Sequence, residues 1–156
     1  METDVTKPVN AITAFKDNYR FLSNFYLCPV SFGGIMYRSA EHAYQASKTD
    51  LTNDRDAIRL AATPGQAKRL GKTVALRPHW EDLKKVIMLE IVLSKFMRNG
   101  DLKAMLFLTG DAALIEGNTW HDNYWGDCYC GNAGTCSLPG YNALGRILES
   151  VRFVIS

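Results

Sequence analysis

The sequence predicts an α+β domain, mostly helical, with a small antiparallel sheet near the N-terminus. Three observations carry that expectation. Short β-prone runs joined by turn residues fill the N-terminal quarter. Helical periodicity takes over from Ser39, and the later helices are bracketed by caps and breakers. At 156 residues the chain is long enough for one real core. We expect a loose tail over residues 1–10 and a single domain over residues 11–156.

Taken in order, Ala11–Phe15 and Arg20–Tyr26 read as short strands around the polar turn Lys16-Asp17-Asn18. Val30–Phe32 and Ile35–Tyr37, joined by Gly33-Gly34, give a two-residue hairpin signal. Ser39 is the N-cap of a helix through Lys48, and Asp54–Ala62 is a second candidate helix. Thr63-Pro64 supplies a cap and a proline at the first helical position of a third, which ends at Gly71. Pro78 opens a long helix to about Arg98 whose apolar residues face almost every direction, which predicts a buried, central helix. Asp101 caps a helix to Leu108, and Ala113–Ile115 reads as a strand. Residues 116–140 form a long Gly-, Asn- and Cys-rich loop, of a length that is often functional. A last helix from about Asn142 buries Leu144, Ile147, Leu148 and Val151.

Composition is that of an ordinary globular protein, 47% hydrophobic and 22% charged, and the formal charge of +2 neither demands nor excludes a nucleic-acid partner. There is no apolar run of membrane-spanning length and no signal-peptide pattern at Met1, so the expected setting is cytoplasmic, without a membrane partner. Disulfides are not expected there. Cys128, Cys130 and Cys136 lie close together, with His121 a conceivable fourth ligand. Structural zinc sites usually pair C-x2-4-C on both arms, and C-x-C is tighter than that. The expectation is therefore reduced loop thiols, no metal and no cofactor.

The densest chemistry lies in Ser39-Ala-Glu-His-Ala-Tyr-Gln-Ala-Ser-Lys. Glu41, Tyr44, Gln45 and Lys48 fall at i, i+3, i+4 and i+7, one stripe of a helix, opposite Ala40, Ala43 and Ser47. That stripe is either a solvated face with a dipole-complementing glutamate or the working face of a site. Trp80 and Lys84, four apart on the long helix, are either a packed Trp with a snorkelling Lys or substrate contacts. The loop Glu116-Gly-Asn-Thr-Trp-His-Asp-Asn-Tyr-Trp-Gly-Asp interleaves aromatics with carboxylates, as suits a pocket that stacks a flat base. Gly140-Tyr-Asn-Ala-Leu-Gly-Arg is either an ordinary capped helix or a phosphate-receiving N-terminus, with Asn142 as cap and Arg146 nearby.

An ordered set of segments resembles the NADAR superfamily, the NAD- and ADP-ribose-associated domains that include the YbiA-like N-glycosidases. They are Phe21-Leu-Ser-Asn-Phe-Tyr, Ser39 to Lys48, Ala67-Lys-Arg-Leu-Gly-Lys, Arg77-Pro-His-Trp, Lys95-Phe, Leu108-Thr-Gly, Asp122-Asn-Tyr-Trp-Gly and Asn142-Ala-Leu-Gly-Arg, spanning about residues 12–153. The resemblance implies hydrolysis of an N-glycosidic bond, in a ribosylamino-pyrimidine phosphate of riboflavin synthesis or an ADP-ribosylated guanine. By motif it assigns catalysis to Glu41, Lys48 and Asp122. It also implies substrate contacts from Trp80 and Trp125, and from Asn24, Phe25, Tyr44, Gln45, Lys84, Gly126, Asn142 and Arg146 in or beside the matching segments. The cysteine-rich stretch 128–136 departs from many members. The implied partner is a small nucleotide or ADP-ribose-type molecule, or an ADP-ribosylated nucleic acid.

The residues are compatible with that chemistry. Breaking a ribosyl–nitrogen bond builds positive charge at the anomeric carbon, which a fixed carboxylate such as Glu41 stabilises. A desolvated Lys48 amine can instead add to the sugar as a Schiff base. Two other classes stay open: a non-catalytic ADP-ribose reader, which needs no acid–amine pair, and a zinc-dependent interaction module built on the cysteines.

Overall fold

A computed structural model describes residues 10–136 and 139–156; most of the expected tail, residues 1–10, lies outside the described residues. The chain begins with β1 (Ala11–Ile12) and a 3-10 helix, Asp17–Leu22, and continues into the hairpin β2 (Leu27–Phe32) and β3 (Ile35–Ser39). Gly33 and Gly34 turn it with φ of +58° and +78°, the left-handed pair that a two-residue hairpin requires. Val30 pairs with Tyr37 and Phe32 with Ile35, while the ladder is irregular between Leu27 and Val30, where Pro29 has no amide hydrogen to give.

The strand expected at Arg20–Tyr26 is instead 3-10 helical up to Leu22. Phe21 and Leu22 are both buried although adjacent, which an alternating strand cannot arrange and a helical turn can. β1 accordingly finds another partner: it pairs in parallel with β4 (Ala113–Leu114). The antiparallel sheet is the β2–β3 hairpin.

Ser39 ends β3 and starts α1 (Ala40–Ser47), its hydroxyl accepting from the His42 amide at 3.2 Å. The same Oγ lies 2.7 Å from His42 Nδ1, and His42 Nε2 lies 3.0 Å from the Ala61 carbonyl. A carbonyl only accepts, so Nε2 carries the hydrogen and Nδ1 accepts from the serine. Burial lowers the imidazole pKa, which favours that neutral form. All eight residues of α1 are buried, packed by the hairpin, by α2 (Thr52–Leu60), by α3 (Pro64–Gly71) and by α4 (Trp80–Arg98). Thr63 caps α3 as expected, its Oγ1 accepting from Gln66 N at 3.1 Å.

α4 corrects one expectation. Trp80, Ile87, Met88, Ile91, Val92 and Phe96 are buried, but Val86, Leu89 and Met97 are exposed, so the helix is central yet covered on one side only. The buried set follows the 3.6-residue period, and the exposed residues point away from it. α5 (Gly100–Leu108) starts one residue before Asp101, which lies in its first turn, and Asn99 holds the junction by donating to Pro29 O and Lys95 O. The 116–140 loop contains β5 (Gly117–Asn118) paired in parallel with β6 (Asp127–Cys128), and α6 (Ala143–Val154) packs on α4 and β4. Among the described residues no helix is long and apolar enough to cross a membrane.

Ser39→Ala should lower unfolding free energy by about 2 kcal/mol, the helix cap and the buried imidazole contact being lost together. Urea unfolding measures it; a change within error would show that neither bond contributes.

Candidate active site

α1 and the 116–125 segment enclose a cleft of about 380 Å³. Glu41, Tyr44, Gln45 and Lys48 enter it from α1, Asn24 and Phe25 from the turn before β2, and Asp122 and Trp125 from the long loop. These are eight of the residues that the sequence proposed. The stripe on α1 therefore faces a cavity, not bulk solvent.

Gln45 Nε2 donates to Glu41 Oε1 at 2.7 Å. Burial raises the Glu41 pKa, against the opposing pull of the Gln45 bond, Lys68 and Lys48. Burial lowers the Lys48 pKa, Lys68, Lys72 and Lys84 push the same way, and Glu41 opposes them. The Lys48 ammonium lies 5.5 Å from the Tyr44 ring centre. Gln45 Oε1 and Asn24 Oδ1 are buried with no hydrogen-bond partner among the described residues. Gln45 Oε1 packs against Gly71 of α3, where a Cβ would meet it at 1.9 Å.

The aromatic wall is built around Tyr44. Its ring centre is 5.4 Å from Trp80 and 5.3 Å from Trp125, the latter edge-on at 81°. Trp80 is buried behind Tyr44 and does not line the cleft. Lys84 pairs with Glu81 and lies 4.1 Å over the Tyr124 ring, also outside the lining. Asp122 turns the loop: its Oδ1 accepts from the amides of Tyr124 at 3.1 Å and Trp125 at 2.9 Å. Gly126 does not line the cleft either. A Cβ there would stand 2.2 Å from Glu116 O, and its absence lets the Asp127 amide reach that oxygen at 2.9 Å.

The α6 N-terminus does not line the cleft. Its leading amides are already taken, Ala143 N donating to Tyr124 O and Leu144 N to Trp125 O. Asn142, at φ +55°, makes no side-chain cap. Its amide clips two strands, accepting from Glu116 N at 3.0 Å and donating to Leu114 O at 2.9 Å. Arg146 Nε donates to Tyr141 O, and the residue lines a groove between α4 and α6 instead of the cleft. The Asn142 and Arg146 contacts expected from the sequence are thus spent on the fold, because the loop returns over the helix end.

Sequence reasoning left out two charged residues that line the cleft, Glu116 and Lys68. Burial and the neighbouring Asp122 and Glu41 carboxylates push the Glu116 pKa up to about 8. Lys95 was also missed. It is fully buried on α4, its Nζ donates to Ser23 O at 2.9 Å beside Asn24, and burial holds its pKa down to about 8. Glu116 opens the aromatic–carboxylate segment, and Lys68 and Lys95 lie in two of the segments that carry the resemblance; none had a local pattern of its own. Outside the cleft, and against the expectation of no metal ligands, His121, Cys128, Cys130 and Cys136 converge.

The comparisons agree with one another. The sequence model described as the NADAR domain matches residues 12–156. N-glycosidase YbiA of Escherichia coli (strain K12) is 35% identical over 138 residues, 87% of this chain and 81% of that protein. N-glycosidase Npun_R5314 of Nostoc punctiforme is 38% identical over 139 residues, 86% of this chain and 84% of that one. Riboflavin biosynthesis protein VVA0006 of Vibrio vulnificus is 37% identical over 138 residues, 87% of this chain but only 35% of that protein's length. The NMR structure of E. coli YbiA aligns with a TM-score of 0.79 at 30% identity, covering 94% of this chain and 86% of that one, and it shares the α+β fold.

Glu116 generates a pH prediction. Its folded pKa lies above the ordinary 4.5, so the native state holds a proton that the unfolded chain releases. That disfavours folding progressively as pH rises from about 4.5 to about 8. Glu116→Gln, which cannot ionise, should therefore be more stable than wild type at pH 8, with the gap closing near pH 4. Melting temperatures across that range test it; a gap independent of pH would remove the buried-acid reading.

Proposed function

This chain belongs to the NADAR domain family, and on that premise we propose that it is an N-glycosidase hydrolysing the bond between a ribose and a ring or exocyclic nitrogen. One observation carries the proposal: a buried carboxylate and an amine of lowered pKa, Glu41 and Lys48, share a cleft walled by Tyr44 and Trp125. A binding module needs the wall but has no use for that pair. The names of the relatives, two N-glycosidases and a riboflavin biosynthesis protein, support the same class of reaction.

In this reading a flat heterocycle stacks on Trp125, beside Asn24 and Gln45 of the cleft lining. Lys68 is the cation at hand for a phosphate. Glu41 and Asp122 face the anomeric carbon as it becomes positive. Glu116, largely protonated at neutral pH, gives its proton to the departing nitrogen as that atom takes the bonding pair. The Lys48 amine bonds to the anomeric carbon as the base departs. A proton passes from the lysine nitrogen to the ring oxygen as the bond between that oxygen and the anomeric carbon breaks, and water adds to the resulting imine to release the free sugar and the lysine. Substrates of this description are a ribosylamino-pyrimidine phosphate or an ADP-ribosylated guanine, free or in nucleic acid. Nucleotide-type substrates and reduced thiols fit a cytoplasmic setting.

Incubation with each substrate and mass spectrometry of the products tests the reaction. Release of base and free ribosyl product is expected from one of them, and binding without cleavage of either would leave a reader. Glu41→Gln keeps the size but loses the charge, and should slow turnover about 100-fold or more with the fold intact. Near-normal kinetics would reduce Glu41 to a helix-dipole residue.

Trp125→Ala should weaken substrate binding by about 1–3 kcal/mol, the usual worth of a base–aromatic stack. A sharp loss of melting temperature with affinity unchanged would assign the indole to the core instead.

The covalent step has its own test. Borohydride added during turnover should trap a ribosyl adduct on Lys48, seen as a mass increase of its peptide, and Lys48→Arg should be inactive. An active Arg variant with no adduct would leave Glu41 to activate water directly.

A further inference from the structure

We propose that His121, Cys128, Cys130 and Cys136 form a tetrahedral Zn2+ site that fixes the loop wall of the cleft. Their ligand atoms all lie within 4.8 Å of one another. His121 Nδ1 is 3.5 Å from Cys136 Sγ and 3.9 Å from Cys128 Sγ. A tetrahedron with zinc–sulfur bonds of about 2.3 Å and a zinc–nitrogen bond of about 2.0 Å has edges of roughly 3.5–3.8 Å. The side chains thus stand near their binding positions, and small rotations complete the set.

The backbone is shaped for this. His121 has φ +68° and Gly131 φ +76°, two left-handed turns that bring a histidine from before β6 and a cysteine from well after it to one point. Donors are also aimed at the sulfurs: Asn132 N lies 3.3 Å from Cys130 Sγ and Asn123 Nδ2 lies 3.1 Å from Cys136 Sγ. Hydrogen bonds onto sulfur favour thiolates and hold them in place, as the outer shell of a metal site does. A disulfide would use two of the three sulfurs and give the imidazole no role. Three soft thiolates with one imidazole are a zinc donor set, and four protein ligands leave no open position. The site is therefore structural, and none of its four residues lines the cleft.

The position gives the metal its effect. His121 adjoins Asp122, and Cys128 pairs with Asn118 in the β5–β6 bridge. A metal joining residues 121, 128, 130 and 136 closes the loop that carries Asp122 and Trp125 into the cleft.

Protein purified without chelators from zinc-supplemented cells should carry stoichiometric zinc by elemental mass spectrometry. Cys130→Ser/Cys136→Ser should lose it while keeping the far-ultraviolet circular dichroism. Cobalt substituted into the wild type should give thiolate-to-cobalt charge-transfer bands and the d–d spectrum of a tetrahedral ion, a result independent of whether any variant folds. Chelation should speed proteolysis within residues 120–136. Wild-type protein that neither carries zinc nor takes it up against a chromogenic chelator would overturn the site, as would an intact mass showing a disulfide. Unchanged proteolysis after zinc removal would overturn its role in fixing the wall. None of these measurements reads turnover, so they stand apart from the glycosidase assay.

Discussion

Complete burial of α1 is the constraint on which the rest of the structure depends. The helix carries Glu41, His42, Gln45 and Ser47, and all four are out of water. Each buried polar atom then needs a partner inside the protein or a large free-energy cost remains. The Ser39 hydroxyl and the Ala61 carbonyl satisfy His42, tying the hairpin and the end of α2 to one side chain. Gln45 satisfies one oxygen of Glu41. Gln45 Oε1 and the nearby Asn24 Oδ1 are left buried without a hydrogen-bond partner among the described residues. The fold pairs most of the polar surface of α1 internally and places the remaining side chains of the stripe along the cleft.

The same burial sets the electrostatics. Glu41 and Glu116 are raised and Lys48 is lowered, all chiefly by desolvation. Each group is thereby brought toward neutrality, where small changes in a bound molecule's charge move protons. Lys68 pulls the two glutamates down and Lys48 further down, so one cation adjusts three groups of the cleft at once. Water leaving on substrate binding would strengthen all of these couplings.

Local chemistry was legible in the sequence wherever it is self-contained. Gly33-Gly34, the Ser39 cap and Thr63-Pro64 each specify a backbone conformation from one or two residues. The α1 stripe was legible because helical spacing alone puts Glu41 and Lys48 on one face. Features decided by distant packing were not. Phe21 and Leu22 read equally well as strand until the core claims both. Glu116 and Lys68 meet in the cleft from opposite sides of the chain, and no spacing connects them. The α6 N-terminus has the residues of an anion site, yet its amides are filled by a loop that precedes it. His121 stood beside the cysteines in the sequence, but the tight C-x-C spacing argued against a shared site; left-handed turns at His121 and Gly131 accompany the convergence of the four side chains.

Asn142 joins the two ends of this design. One amide group, at the head of the final helix, holds Glu116 N and Leu114 O and so sets the strand from which Glu116 enters the cleft. During synthesis every other lining residue emerges before that clip does. A nascent chain can assemble the aromatic wall and the α1 stripe yet lacks the fixed position of its buried acid. The position of that acid thus depends on a residue from the last helix to leave the ribosome, so the geometry of the cleft is complete only once α6 has docked.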